Sequence, residues 1–221
     1  MKILAVETAG KICSVALLED EKVIQEITVE DGNTHSVKLM PLIDTVLKKS
    51  KVTIQEIDLF ACDKGPGSFT GIRIGIATIK AFADVTNKKV IGITSLESLA
   101  YYEKENTMIC TMLDAKNENI YYGLFENSDG DYKLVENLQF GNIYEVLENL
   151  KQKDQTISFI GDAAIHYQEE IKDVLGNKAI LRKDYQLTAT HIGKIAFKKN
   201  KEAVTSNELQ PTYLRKSNAE R

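Results

Sequence analysis

The chain has no tryptophan, three prolines and three cysteines among its 221 residues, and neither sign of charge dominates. The formal net charge of −4 argues against a protein that binds nucleic acid without a partner, because neutralising phosphates needs a concentrated basic surface. Cys13, Cys62 and Cys110 stand singly in apolar runs without a CxxC spacing, which is typical of buried thiols in a reduced compartment. The chain also lacks a run of membrane-spanning length and the apolar core of a signal peptide, so we expect a cytoplasmic protein that contacts no membrane.

Motifs for metal binding and covalent catalysis are missing as well. The histidines, His35, His166 and His191, lie far apart in the sequence, and none stands in HxxxH or HExxH, the spacings that put two imidazoles on one helical face. No serine carries a recognisable nucleophile signature. The sequence therefore predicts no metal site and no catalytic residue.

What the sequence does contain is a regular succession of strand and helix patterns, with 43% apolar and 27% charged residues as in ordinary globular proteins. Apolar spacing predicts the order βββαβαβα in the first half. The strands are expected at Lys2–Glu7, Ile12–Leu18, Lys22–Val29, Asp58–Asp63 and Val90–Thr94, and the helices at Thr34–Lys49, Gly71–Thr86 and from Ser95. Asn33 or Thr34 is the predicted N-cap of the first helix, and Pro41 is expected to bend it.

The second half repeats this order of elements without similarity of residues. The strands are expected at Met108–Leu113, Asn119–Glu126, Asp131–Gln139, Thr156–Ile160 and Ala179–Leu181, and the helices at Asn142–Gln152, Ala163–Val174 and Thr188–Lys199. We therefore predict an α/β protein of two related mixed-sheet domains, residues 1–104 and 105–221, with the second one reduced. A duplicated unit of this kind resembles the ribonuclease-H-like arrangement of the actin, Hsp70 and sugar-kinase superfamily.

In that superfamily the first hairpin of each domain holds nucleotide phosphate, and an acidic residue usually ends the first strand. The corresponding turns are Glu7–Gly10 in the first half and Asp114–Glu118 in the second. The second turn has no glycine and carries two carboxylates, so its backbone cannot easily approach a phosphate and its charge would repel one. The sequence thus predicts that the chain binds nucleotide phosphate poorly at this turn.

A further candidate site is the glycine-rich stretch CDKGPGSFTGIR, which begins at Cys62 between a predicted strand and a predicted helix. It is not a P-loop, because Thr70 stands where GxxxxGK[ST] requires its second glycine and no lysine follows. It is not a GxSxG elbow either, because Gly71 is one residue too far from Ser68. The stretch therefore carries neither of these two catalytic motifs.

Two interpretations of this stretch remain. In the commoner interpretation, Gly65 and Gly67 adopt backbone conformations that residues with a side chain rarely adopt, while Ser68 or Thr70 caps the helix. In the other, these four residues contact an anionic ligand at the start of the helix. We expect any ligand that this loop meets to be shared with a partner protein.

Two predicted helices carry more apolar surface than one sheet face needs. Across from the core face of the Gly71–Thr86 helix lies a second row, and in the Thr34–Lys49 helix Met40 and Leu47 widen the core stripe. Either other helices of the same chain cover these faces, or a partner protein does, and the sequence favours neither. The functional hypothesis is a partner interface made by both helices, at Val37, Met40, Leu47, Ile74, Thr78, Ala81 and Val85.

The sequence resembles the TsaB (YeaZ) family along essentially its whole length. The motifs that carry the resemblance are ILAVETA from Ile3, HSVKLMPLID from His35, GPGSFTGIRIGIATIKAFA from Gly65, TSLESLA from Thr94, LDAKNENIYYGLF from Leu113 and QPTYLRK from Gln210. The stretch from Gly65 to Gly75 is highly specific. The family has aspartate where Glu7 stands, so the resemblance carries no role over to that position.

The resemblance implies a non-catalytic member of the bacterial machinery that makes threonylcarbamoyladenosine (t6A) in tRNA, next to the anticodon. It implies pairing with the catalytic, metal-bearing paralogue TsaD, association of the ATPase TsaE, contact with tRNA only through the complex, and a homodimer when the chain is alone. It implies no cofactor of the chain's own, and a nucleotide, ATP or ADP, is expected only at the partner interface. The alternative is a stand-alone enzyme of the superfamily, an ATP-using kinase-like protein or a peptidase (glycoprotease).

Overall fold

The protein is described by a computed structural model that covers residues 1–30 and 35–215. These residues form two compact units, one made of Met1–Ser98 with Leu187–Thr212 and the other of Leu99–Gln186 with residues 213–215. Each unit contains one five-stranded mixed sheet. None of the described helices is long and apolar enough to cross a membrane.

The first unit is built on the strand order β3-β2-β1-β4-β5. Its strands are β1 Lys2–Glu7, β2 Cys13–Glu19, β3 Lys22–Val29, β4 Leu59–Asp63 and β5 Lys89–Ile93. The first three form an antiparallel meander, whereas β4 runs parallel to β1 and β5 runs parallel to β4. β1 and β4 are almost wholly buried, as their continuous apolar runs require of central strands, and the edge strand β3 is partly exposed along its length.

Three helices follow these strands in the chain: α1 His35–Ser50, α2 Phe69–Thr86 and α3 Ser95–Ala100. Helices α1 and α2 bury apolar side chains at spacings of three and four residues in one core cluster with the sheet. The principal ones are Leu39, Ile43, Val46, Ile72, Ile76 and Ile79. Pro41 lies inside α1, and the predicted N-cap, Asn33 or Thr34, lies outside the described residues.

The second unit repeats the topology of the first. Its strands are β6 Met108–Asp114, β7 Asn119–Ser128, β8 Asp131–Asn142, β9 Ile157–Ile160 and β10 Ala179–Arg182, and its helices are α4 Ile143–Lys151, α5 Asp162–His166 and α6 Gln168–Leu175. The sheet order is β10-β9-β6-β7-β8, with an antiparallel meander and two parallel neighbours as before. The predicted duplication is therefore confirmed at the level of strand order and direction.

One predicted element of the second half is wrong. The single helix expected at Ala163–Val174 is two helices, α5 and α6, which meet at Tyr167. Tyr167 has a φ of −103° and a ψ of 29°, values that interrupt a helix. The apolar spacing of the segment continues across the break, so the sequence pattern could not reveal it.

The last helix, α7 Ala189–Lys198, belongs to the first unit and not to a domain of residues 105–221 as predicted. It packs on β1 and β2, where a Cβ on Gly193 would lie 2.3 Å from Leu18 Cδ1. Because Leu17 belongs to the core cluster of α1 and α2 while its neighbour Leu18 meets α7, α7 covers the opposite face of the sheet. The first sheet is thus buried on both faces.

Candidate functional site

Two loops meet at the C-terminal ends of the parallel strands β1 and β4 of the first sheet. The turn after β1 and the loop after β4 both begin where their strands end, and these strands are parallel neighbours. Ser68 N donates to Ala9 O at 2.8 Å, and Thr8 Oγ1 donates to Gly71 O at 2.8 Å. The glycine-rich loop is thereby anchored along one side to the β1–β2 turn.

Glycine is required where these two loops approach most closely. A Cβ on Gly71 would lie 1.9 Å from Thr8 O, and one on Gly67 would lie 2.6 Å from Ala9 O. Gly65 has a φ of +94°, which residues with a side chain rarely adopt. The special conformation predicted for Gly65 is confirmed, whereas Gly67 is needed for close approach of two backbones.

Ser68 is the N-cap of α2, because its Oγ accepts a hydrogen bond from Gly71 N at 3.2 Å. Of the two capping residues that the sequence offered, the structure thus places Ser68 at the cap and Thr70 within the first turn, where it is exposed. The helix ends at Asn87, whose φ of 54° and ψ of 45° are left-handed. Both ends of α2 are therefore defined by local side-chain and backbone chemistry.

Glu7 ends β1 and is fully buried. Its Oε1 accepts hydrogen bonds from Ala9 N at 2.7 Å and from Gly10 N at 2.9 Å. Successive backbone N–H groups in a turn form a concavity that binds anions in many phosphate sites. Here the chain's own carboxyl group occupies that position, so these two N–H groups are already bonded within the chain.

Asp63 ends β4 in the same way, and the sequence analysis missed it as a site residue. Its Oδ1 accepts hydrogen bonds from Gly65 N at 2.6 Å and from Ser95 Oγ at 2.8 Å. The available signal was an acidic residue at the end of a buried strand and before a glycine-rich loop, next to the end of the parallel strand that carries Glu7. Asp63 thus holds its own loop as Glu7 holds the neighbouring turn.

The second oxygens of these two carboxyl groups, Glu7 Oε2 and Asp63 Oδ2, are buried and accept no N–H or O–H from any described residue outside the pair. Burial raises the pKa of Glu7 well above its usual range, and the charge of Asp63 and a hydrogen bond with it act in the same direction. Burial also raises the pKa of Asp63, although hydrogen bonds from Glu7, Gly65 and Ser95 oppose the rise. A dry pair of this kind disfavours two negative charges.

Helices α1 and α2 lie side by side, and the residues predicted as a partner interface fall on both. We call Val37, Met40, Leu47, Ile74, Thr78, Ala81 and Val85 the α1–α2 surface. Val85 is 82% exposed, Val37 69% and Met40 51%. Ala81 is exposed as well, whereas the other three are half-buried, and Leu47 and Ile74 pack against the core cluster. No described element of the chain covers the four exposed members.

The corresponding turn of the second unit is closed by its own side chains. Lys116 N donates to Asp114 Oδ1 at 2.8 Å, and Lys116 Nζ donates to Asp114 Oδ2 at 2.6 Å. Although burial acts in the opposite direction, these bonds hold the pKa of Asp114 below its usual value. Lys116, Asn117 and Glu118 all have positive φ, between 53° and 67°. This turn therefore forms the left-handed conformation without glycine.

The histidines take part in local contacts. His35 Nε2 lies 3.0 Å from Gly10 O, His191 Nδ1 lies 3.4 Å from Thr188 Oγ1, and the ring of His166 packs edge-on against Tyr167. Within residues 1–30 and 35–215, no group of three or more His, Cys, Asp or Glu side chains is arranged to hold a metal ion.

Comparisons with known proteins give the family. The family model described as tRNA N6-adenosine threonylcarbamoyltransferase, TsaD, matches residues 23–221. The tRNA threonylcarbamoyladenosine biosynthesis protein TsaB of Bacillus subtilis is 32% identical over 221 residues, which is 100% of this chain and 96% of that protein. The chain belongs to the TsaB family. The match of a TsaD model to a TsaB chain fits the paralogue relationship that the motif resemblance implied.

Solved structures show the fold of this TsaB chain. YeaZ from Pseudomonas aeruginosa superposes with a TM-score of 0.82 at 23% identity, and covers 96% of this chain and 99% of its own. A ROK hexokinase from Thermus thermophilus gives a TM-score of 0.53 at 12% identity, over 91% of this chain and 100% of its own. At these identities the likeness concerns the fold alone. The predicted ribonuclease-H-like fold, with two related mixed sheets, is confirmed.

Proposed function

We propose that this TsaB chain is a subunit of the machinery that makes t6A in tRNA. The observation that carries the proposal is its 32% identity, over the full chain, with a protein named for threonylcarbamoyladenosine biosynthesis. Since that machinery acts on tRNA, we place the chain in the cytoplasm. It meets tRNA only through the assembled complex, in keeping with a net charge of −4.

Within this machinery the chain acts without catalysing a step. The two acids at the strand ends, Glu7 and Asp63, are buried and bonded to the loops that follow them. Ser68, the exposed hydroxyl of the glycine-rich loop, accepts a hydrogen bond as the cap of α2. The groups that could do chemistry at this edge are thus used to hold α2 in place.

The partner is the catalytic paralogue TsaD, which docks on the α1–α2 surface. Exposed Val37, Met40 and Val85 supply apolar contact area, and the short side chain of Ala81 lets a second helix approach closely. The same surface forms a homodimer when the chain is alone, and TsaE joins the pair with TsaD.

A nucleotide, ATP or ADP, binds at the partner interface beside the glycine-rich loop. Gly67, Ser68 and Thr70 are exposed there, at the start of an 18-residue helix, whereas Gly65 is buried behind them. The N-terminus of a helix favours an anion, and TsaD supplies the rest of the binding site. In this view the loop contributes backbone groups and hydroxyls, and the chain alone holds no cofactor.

Co-elution with TsaD tests the surface. Ala81→Glu should abolish co-elution at micromolar protein, because a buried unpaired charge costs roughly 3–5 kcal/mol, which weakens binding by about a hundredfold or more. Ile165→Glu is the matched control, since Ile165 is 38% exposed on α5 in the other unit and gains the same charge. Unchanged co-elution of Ala81→Glu would reject the α1–α2 surface as the docking site.

Reconstituted t6A formation tests the role. With TsaD, TsaE, tRNA and the threonylcarbamoyl adenylate as donor present, omission of the chain or use of Ala81→Glu should remove t6A formation, whereas Ile165→Glu should leave it unchanged. The stand-alone enzyme predicts instead that the purified chain turns over magnesium-ATP or cleaves a glycoprotein, and that Ser68→Ala removes this turnover. Turnover by the unaccompanied chain would contradict a non-catalytic role.

A further inference from the structure

We propose that Glu7 and Asp63 share one proton between Oε2 and Oδ2, and that this carboxyl bridge locks the β1–β2 turn to the β4–α2 loop. The bridge joins the ends of two parallel strands that pair at Val6 and Cys62, immediately before the two acids. The proposal concerns how the first unit holds the start of α2, and it stands independently of the partner protein.

The hydrogen bonds of the two groups leave one place for a proton. Each carboxyl group uses one oxygen to accept two hydrogen bonds: Glu7 from Ala9 N and Gly10 N, and Asp63 from Gly65 N and Ser95 Oγ. The other oxygen of each group is buried and accepts nothing from the described residues. A proton on one of these oxygens turns an acceptor into a donor, and the pair then satisfies itself.

Burial disfavours the state in which Glu7 and Asp63 are both ionised. Glu7 is 0% exposed and Asp63 is 1% exposed, so ionisation of both would place two like charges in a dry site. One shared proton leaves a single charge, which the four donors from the turn, the loop and Ser95 stabilise. The rise in the pKa of Glu7, caused first by burial and then by Asp63, is consistent with this arrangement.

The titratable groups that face the bridge from neighbouring elements supply no hydrogen bond to its two inner oxygens, although the charge of Lys64 lowers the pKa of Asp63. The thiols of Cys13 on β2 and Cys62 on β4 are buried, and burial followed by the charge of Glu7 raises the pKa of Cys13 to about 11. Lys64 acts on Asp63, Lys38 of α1 acts on Cys13, and Lys80 of α2 acts on Cys62, each through its charge. None of these side chains donates to Glu7 Oε2 or Asp63 Oδ2.

The bridge has a mechanical consequence for α2. Glu7 holds the amides of Ala9 and Gly10, and Ala9 O in turn accepts from Ser68 N, the cap of α2. Loss of the proton, as pH rises through the raised pKa of Glu7, would place two carboxylates against each other at the point where the loops join. We therefore expect the turn and the start of α2 to loosen together as pH rises.

Infrared spectroscopy tests the shared proton directly. At neutral pH the full chain should show the carbonyl band of a protonated carboxylic acid, and this band should disappear in Glu7→Gln and in Asp63→Asn. Both amides keep an acceptor for the backbone and supply an N–H for the bridge, so both variants should fold. Glu103→Gln, which changes another buried carboxyl group, should leave the band unchanged. Absence of the band from the unsubstituted chain, or its persistence in both bridge variants, would overturn the proposal.

Urea unfolding across neutral and alkaline pH tests the lock. Relative to Glu7→Gln, the unsubstituted chain should lose stability as pH rises from the unfolded pKa of Glu7 to its raised folded pKa, by up to about tenfold in the unfolding equilibrium constant per pH unit, because unfolding releases one proton in that range. Amide exchange at Ala9, Gly10 and Gly65 should accelerate by the same factor relative to Glu7→Gln. Parallel unfolding curves for the two proteins would refute the lock, and Asp63→Asn provides the second comparison.

Discussion

The contact between Gly71 and the carbonyl of Thr8 illustrates how single atoms set the geometry of the candidate site. Gly71 lies inside α2, where glycine is ordinarily unfavourable by about 1 kcal/mol relative to alanine. A Cβ at this position would lie 1.9 Å from a backbone oxygen, which cannot rotate away as a side chain could. The close approach therefore outweighs helix propensity at this residue.

Gly71→Ala should destabilise the chain by about 2–3 kcal/mol, because overpacking against a fixed backbone exceeds the gain in helix propensity. Urea unfolding at neutral pH measures the change. Gly141→Ala is the control, since its Cβ would lie 3.5 Å from Val146 Cγ2, an ordinary contact, and its expected effect is within about 0.5 kcal/mol. An equal effect of the two substitutions would contradict the role assigned to the Gly71 contact.

At the scale of elements, α2 depends on its cap as well as on its buried face. The sequence offered Ser68 and Thr70 as capping residues, and only a hydrogen bond in three dimensions distinguishes them. Ser68 accepts from Gly71 N, whereas Thr70 lies one residue inside the helix. Since α2 carries part of the α1–α2 surface, the stability of its first turn bears on the proposed docking.

Ser68→Ala should destabilise the chain by about 1 kcal/mol, the usual loss when a capping hydroxyl is removed. Thr70→Ala, a substitution of similar size at an exposed position, should change stability by less than about 0.5 kcal/mol. Thermal or urea unfolding of the two variants side by side gives the comparison. A larger effect at Thr70 than at Ser68 would show that Thr70, and not Ser68, caps the helix.

Most elements of both units could be predicted from apolar spacing, because a buried face imposes a period on the sequence. The break at Tyr167 could not, since apolar residues continue on both sides of it. The role of Asp63 could not be predicted because it depends on Glu7 at the end of the neighbouring strand, and the pairing of these strands is a property of the fold. The membership of α7 in the first unit is equally non-local, since it rests on contacts between residues far apart in the chain.

At the scale of the whole molecule, the two units respond to pH in opposite directions at their buried acids. In the second unit Arg182 Nε donates to Glu103 Oε2 at 2.8 Å, and Ser158 Oγ also donates to this oxygen. Burial would raise the pKa of Glu103, but the hydrogen bonds from Arg182 and Ser158 keep it below its usual value. The stability that Glu103 contributes is therefore present above its unfolded pKa and is lost as pH falls.

Glu103→Gln should destabilise the second unit by about 1–3 kcal/mol at neutral pH, because it removes the buried one of the two carboxylates that pair with the half-buried Arg182 and leaves only the exposed Glu105. It should also flatten the decline in stability as pH falls, while the decline with rising pH attributed to Glu7 stays unchanged. Urea unfolding from acid to alkaline pH measures how the free energy of unfolding falls in each direction. Glu7→Gln is the comparison variant, which should lose the decline with rising pH and keep the decline with falling pH. A Glu103→Gln protein that keeps the full acid decline would show that other acids cause it.

The first unit is discontinuous in sequence, and this has a consequence for its synthesis on the ribosome. Residues 1–98 leave the exit tunnel long before residues 187–212, which supply the helix that covers the second face of the first sheet. That face of the nascent sheet stays uncovered while residues 99–186 of the second unit are translated, although domains commonly fold in order of emergence. The unit that begins the chain is thus completed only after all five strands of the other unit have been translated.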